Sequence, residues 1–185
     1  MISLTNFMSK VFEIFSFERG EQDELHKEIF KFFVVFSRFE FALKEGGYIK
    51  KREEGKNAES VWDAFLKANK SKFVVTAKCS NSYRYLTDPE TAPNNQKIFY
   101  VTEGDVRVIK THWTEQTIDI NSPSLKRVID SVKLVRNNLF HGGKYGDKTW
   151  CDLNRTSSLL KHSIFMIFVL KELDQDISIY FEDFA

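Results

Sequence analysis

Between Gln22 and Glu45 apolar residues return every third or fourth position, at Leu25, Ile29, Phe32, Phe36, Phe39 and Leu43, and the run stops at Gly46-Gly47. That rhythm keeps one stripe of an α-helix apolar along its whole length. Paired glycines end a helix readily, because glycine takes the left-handed C-cap conformation at little cost. A second set, Phe30, Val34 and Phe41, lies well round the cylinder, so this helix needs cover on two sides, from its own domain or from a second subunit. With only eight Gly and three Pro in 185 residues there are few turns, which favours long helices and a mainly α fold.

The rest of the chain fits one helical domain. A charged loop (50–57) precedes a short helix over Ala58–Lys70, with Val61, Trp62, Phe65 and Leu66 facing inward. Lys72–Lys78 reads as a strand or a helix end, Asp88–Asn95 as a loop, and Ile98–Val101 with Val106–Ile109 as a small hairpin. Asn121-Ser122-Pro123 marks a helix start, a capping side chain followed by a proline whose missing N–H is not needed there. That helix reaches His141 before Gly142-Gly143. A last helix, about Asp152–Leu173, is apolar on all sides and should be the most buried, with Tyr180, Phe181 and Phe184 of the acidic tail able to tuck back. The expected organisation is a single domain over 1–185, with a core of about 22–175 and an insertion of about 71–120.

Composition narrows the function. A chain 42% hydrophobic and 29% charged, with 18 Phe, has the profile of a globular protein, and a net charge of +1 announces neither nucleic acid nor membrane. Cys79 and Cys151 are too few for a disulfide framework or a thiolate zinc site, so a reducing cytoplasm is expected. His26, His112 and His162 have no metal-ligand spacing, and no metal or other cofactor is expected. His162 sits on a helix rim, where a structural role is expected. No targeting segment is visible at the N-terminus. The longest apolar run, Ile164–Leu170, is far short of a membrane span.

On a helical wheel the apolar stripe of the 124–141 helix covers about 140°. Arg136 falls inside that stripe, between Leu125 and Ile129. A guanidinium placed inward needs a carboxylate, carbonyls or a phosphate beside it. Glu40 is the matching oddity on the first helix, between Ile29 and Phe33 by angle, while Arg38 points outward. The plain account of such a couple is a structural ion pair. His141 adds a titratable group at the helix end, five residues after Arg136 and followed by two glycines. A cation, an acid–base group and the amides of Gly142 and Gly143 are the parts that bind and cleave a phosphodiester.

The string VRNNLFHGGKYG resembles the R-x4–6-H signature of HEPN-domain proteins, here with Arg136, a polar Asn137 and His141. FSRFEFALKEGGY (36–48), APNNQ (92–96), Trp113 and DLNR (152–155) are similar to one bacterial branch of that superfamily, in which a carboxylate at the position of Glu40 faces the motif. The resemblance implies a HEPN-like antiparallel bundle of four to five helices, here carrying a small β-hairpin insertion. It implies a homodimer with a composite active site, and metal-independent cleavage of RNA by 2′-OH transesterification. His141 would act as base or acid, Arg136 would stabilise phosphorane charge, Asn137 would bind phosphate or orient His141, and Glu40 would hold Arg136. Arg136 and His141 stand about 140° apart on one helix, awkward for one phosphate within one chain but workable across a dimer axis.

From Ser122 to Lys161 eight basic residues face three acids. Lys133, Lys144, Lys148 and Arg155, with Tyr145 as a stacking surface, are the candidate RNA contacts, beside the alternative that these charges are merely solvated. Trp113 and Trp150 offer further stacking. The leading expectation is an endoribonuclease acting as a toxin or anti-phage defence effector, any antitoxin or regulatory protein being a separate chain. The alternatives are a catalytically inactive HEPN module that binds RNA or protein, and a nucleotide-binding regulator using the same cleft.

Overall fold

Helix α1 (Asp23–Glu45) follows the long apolar stripe almost to the residue. The computed structural model describes residues 23–50, 61–103, 106–115, 119, 121–140 and 153–183. The α1 terminus shows why two glycines stand there. Tyr48 N–H donates to the Leu43 carbonyl at 2.8 Å and Gly47 N–H to that of Lys44 at 3.1 Å, with Gly47 at φ +81°. Those are the paired bonds of a left-handed helix cap. Gly46 serves a different purpose, since a Cβ there would lie 2.5 Å from Ile177 Cδ1.

Helix α2 (Trp62–Asn69) is shorter than expected: Val61 is extended, and 58–60 lie outside the described residues. Trp62 and Phe65 are buried as expected, whereas Val61 and Leu66 are half-buried. Helix α3 (Ser80–Thr87) has no counterpart among the sequence expectations. Its eight residues are mostly polar and too short for a periodic signal, yet Leu86 is fully buried. The stretch 71–120 therefore divides in two. Phe73, Cys79, Leu86 and Ala92 of the first part join the buried interior, and the second part is an antiparallel ribbon, β1 (Asn95–Glu103) with β2 (Val106–Thr114). The pairing runs from Asn95↔Thr114 to Glu103↔Val106, longer at both strands than the predicted hairpin.

Helices α4 (Ser124–Phe140), α5 (Leu153–Lys171) and α6 (Gln175–Glu182) complete the order. The fold is a mainly α helical bundle, with six helices among the described residues where four to five were expected. Helix α1 packs on α5 and α6, α3 packs on α4 and α5, and α2 packs on α4. Phe32, Phe39, Phe65, Leu125, Leu160, Met166, Ile167 and Phe181 are the large side chains at the centre. Among the described residues no helix is long and apolar enough to cross a membrane.

The tail folds back as expected, with Phe181 fully buried and Tyr180 half-buried; Phe184 lies outside the described residues. Asp174 caps α6 by accepting from the N–H groups of Asp176 and Ile177, and its other oxygen accepts from Tyr48 Oη at 2.7 Å. Burial and that hydrogen bond raise the Tyr48 phenol above its ordinary value. Arg38 does not point outward. It donates to the Phe181 carbonyl at 3.1 Å and to that of Tyr180, so it closes the exposed end of α6. Beneath it Lys171, only 2% exposed, donates to Glu172 at 2.7 Å and to Glu182.

The second apolar stripe of α1 is not uniform. Phe30 and Val34 pack against the core of the same chain. Phe41, 42% exposed, lies under the Arg38 guanidinium at 4.6 Å.

Candidate active site

The site is set by how α4 is seated. Leu125, Val128, Ile129, Val132 and Val135 are buried and fix the rotation of the helix. At its start Pro123 supplies the first helical acceptor, to Arg127 N–H at 3.2 Å. Asn121 and Ser122 do not cap it. The Asn121 N–H and the Ser122 hydroxyl both donate to the Asp119 carboxylate, at 2.9 Å each, in a turn before the helix. These two bonds lower the Asp119 carboxyl below its ordinary value.

This rotation leaves Arg136 half-buried, inside the apolar stripe as expected. Its Nη1 donates to Asn137 Oδ1 at 3.2 Å, and its guanidinium carbon lies 5.9 Å from the centre of the Phe36 ring. Phe36 stacks on Trp62 at 5.6 Å, and Trp62 Nε1 donates to Glu40 Oε1 at 3.2 Å. Arg136 and Glu40 therefore both border one aromatic pair, at the junction of α1, α2 and α4. A flat cation beside an aromatic face is attracted by the ring quadrupole and held in orientation. Sequence reasoning assigns neither Phe36 nor Trp62 a role at the site, although it expects both to face inward.

Asn137 is exposed, and Lys133, four residues before it, shares that rim of α4. Arg155, a candidate RNA contact, donates Nη2 to the Ala92 carbonyl at 2.7 Å, so it anchors the chain that leads into β1. His141, Lys144, Tyr145, Lys148 and Trp150 lie outside the described residues. Trp113 is placed opposite Gln96 at the root of the ribbon. Among the described residues no group of three or more His, Cys, Asp or Glu is arranged to hold a metal ion.

Asn138, within the motif, is a positioning residue of the fold that sequence reasoning missed. It is 5% exposed and donates Nδ2 to the Asn94 carbonyl at 2.8 Å. One heptad earlier, fully buried Ser131 donates to the Leu86 carbonyl at 2.7 Å. The two form a polar seam along α4 that holds the chain from α3 to β1. The signal was present as two short polar residues seven apart beside Val128 and Val135, the same helix face one turn on.

His162 stands apart from this junction. Its Nδ1 is 2.9 Å from Ser82 Oγ and its ring stacks on Tyr85 at 4.4 Å, tying α5 to α3. Burial pushes it below the ordinary value of 6.5. Compared with family models, with curated proteins and with solved structures, the chain matches none of them.

Proposed function

We propose that the protein is a metal-independent endoribonuclease of HEPN type, active as a homodimer in the cytoplasm and serving as a toxin or anti-phage defence effector. The observation that carries this reading is the Arg136–Asn137–His141 string of the sequence, with Arg136 and Asn137 in the last turns of α4 and Arg136 oriented beside Phe36 at the α1–α2–α4 junction.

In the proposed reaction His141 takes the proton of a ribose 2′-hydroxyl. The freed oxygen bonds to the adjacent phosphorus, the bond from phosphorus to the 5′-oxygen breaks, and the leaving oxygen takes a proton from a second copy's His141. Arg136 stabilises the charge that grows on the non-bridging oxygens, a role whose removal costs about 10²–10³ in rate. Asn137 positions the phosphate. Lys133 supports strand binding from the same rim, with Lys144, Tyr145 and Lys148 in the following segment. Products carry 2′,3′-cyclic phosphate and 5′-hydroxyl ends.

The test is incubation of the purified protein with total RNA and a tRNA pool in EDTA, beside His141→Ala and Arg136→Ala, with cleavage sites and end groups mapped. Cleavage by the wild type alone, leaving cyclic phosphate ends, supports the reading. Equal cleavage by the variants, or intact RNA with the folded wild type, overturns it. A second reading, a catalytically inactive module, draws on the same contacts: an Arg136 seated beside a ring also suits a structural residue. It predicts RNA or protein bound and RNA left whole.

A further inference from the structure

The β1–β2 ribbon has no part in the proposed reaction, yet its register sorts its residues by chemistry. Directly paired residues share a face, and faces alternate along each strand. The pairs Lys97↔His112 and Phe99↔Lys110 therefore put two lysines, a histidine and a phenylalanine on one face, which Val101↔Val108 continues toward the tip. Ile98, Tyr100, Ile109 and Trp113 share the other. An isolated two-stranded ribbon is at best marginally stable in water, so the face without lysines is the one whose burial would stabilise it. Among the paired residues the only acid is Glu103, which shares the lysine face but lies at its far end, six residues from Lys97.

The root is fixed to the motif. Asn138 of α4 holds the Asn94 carbonyl, Arg155 of α5 holds that of Ala92, and Asn95 Nδ2 donates to the Glu115 carbonyl at 3.5 Å across the open end of the ladder. Asn138 directly follows Asn137, so the ribbon starts beside the residues proposed to hold the scissile phosphate. Nine residues per strand extend about 30 Å from there.

We propose that the Lys97–Phe99–Lys110–His112 face of the ribbon binds single-stranded RNA and leads the strand to the Arg136 end of α4. This rests on the ribonuclease reading. By register Lys97 and Lys110 are diagonal neighbours roughly 7 Å apart, suited to successive phosphates, and Phe99, paired with Lys110 and two residues after Lys97, adds an aromatic residue on which an unpaired base stacks. Cations interleaved with a ring at alternate positions suit a flexible single strand better than a duplex, whose bases are already stacked.

The experiment uses the full chain carrying His141→Ala, to suppress cleavage, and a fluorescent single-stranded RNA oligonucleotide titrated at several salt concentrations. Adding Lys97→Gln with Lys110→Gln is expected to reduce the slope of log affinity against log salt by about 1.4, at about 0.7 for each lost phosphate contact. Phe99→Ala is expected to weaken binding by about tenfold. Arg107→Gln, on the other face, leaves the slope unchanged. As a check independent of substitution, photo-crosslinking of thiouridine-containing RNA is expected to mark peptides within 95–114.

If the parent binds while the paired lysine variant keeps its slope and no crosslink falls within 95–114, the ribbon proposal is overturned and the ribonuclease reading stands. Duplex RNA bound as tightly as single strands also overturns the ribbon proposal alone. If the parent binds no RNA and the wild type cuts none, both fall.

Discussion

Two regions of the bundle place an arginine against α1 or within it, and they treat it differently. At the α1–α6 contact Arg38 meets the carbonyls of Tyr180 and Phe181, while nearby Lys171 is enclosed by Glu172, Glu182 and Ser178. Every one of those acceptors belongs to the fold, and the arrangement holds the last helix in place. At the α1–α2–α4 junction Arg136 lies against the Phe36 ring and the exposed amide of Asn137. The ring and the amide both orient the guanidinium at the motif end of α4. The first arrangement ties the last helix to α1, and the second borders the motif on which the proposed chemistry rests.

The strongest test of that separation is chemical. His141→Ala should lower RNA cleavage by about 10²-fold or more, the usual worth of a general acid–base group, while the urea midpoint hardly moves. Lys171→Ala should do the reverse. Removing a buried cation takes away the ion pairs it makes with Glu172 and Glu182 and should cost about 3 kcal/mol in urea unfolding, with unchanged cleavage per folded molecule. If Lys171→Ala abolished cleavage without loss of stability, the two regions would not be separate.

Smaller effects distinguish the two regions further. Gly46→Ala should cost about 1–2 kcal/mol through the clash with Ile177. Ile177→Val removes the clashing Cδ1, so a double-mutant cycle should show most of the cost recovered. Asn138→Ala leaves the Asn94 carbonyl without its donor and should cost about 1 kcal/mol. In contrast to Gly46→Ala, it should also reduce cleavage, because it loosens the root of the ribbon beside the motif.

The gentlest perturbation is pH. His162 is held below 6.5 by burial, so the folded protein binds its proton less readily than the unfolded chain. The stabilisation is fully present above pH 6.5 and is lost as pH falls from there toward the folded value. His162→Gln should flatten that part of the stability–pH curve in urea titrations at a series of pH values.

Part of this was legible in the sequence. The α1 stripe, its stop at Gly46-Gly47 and the inward rotation of Arg136 follow from counting residues. Helix α3 was not legible, since Ser80–Thr87 is short and polar and is held mainly by the helices it packs against. Angular position alone puts Arg38 outward, because its partners are carbonyls more than 140 residues away. Asn138 escapes notice for the same reason, its acceptor being a backbone oxygen across the fold.

Sequence alone settles the mainly helical class, the stop of α1 at its paired glycines and the motif on which the proposed chemistry rests. These depend on the backbone period and on residues close in the chain. It took the packed molecule to seat Arg136 beside Phe36, to give Glu40 the Trp62 indole as a donor, and to bolt the ribbon's root to the motif helix through Asn138 and Arg155. A polar side chain takes the partner that packing brings to it, and packing is settled by the meeting of whole elements.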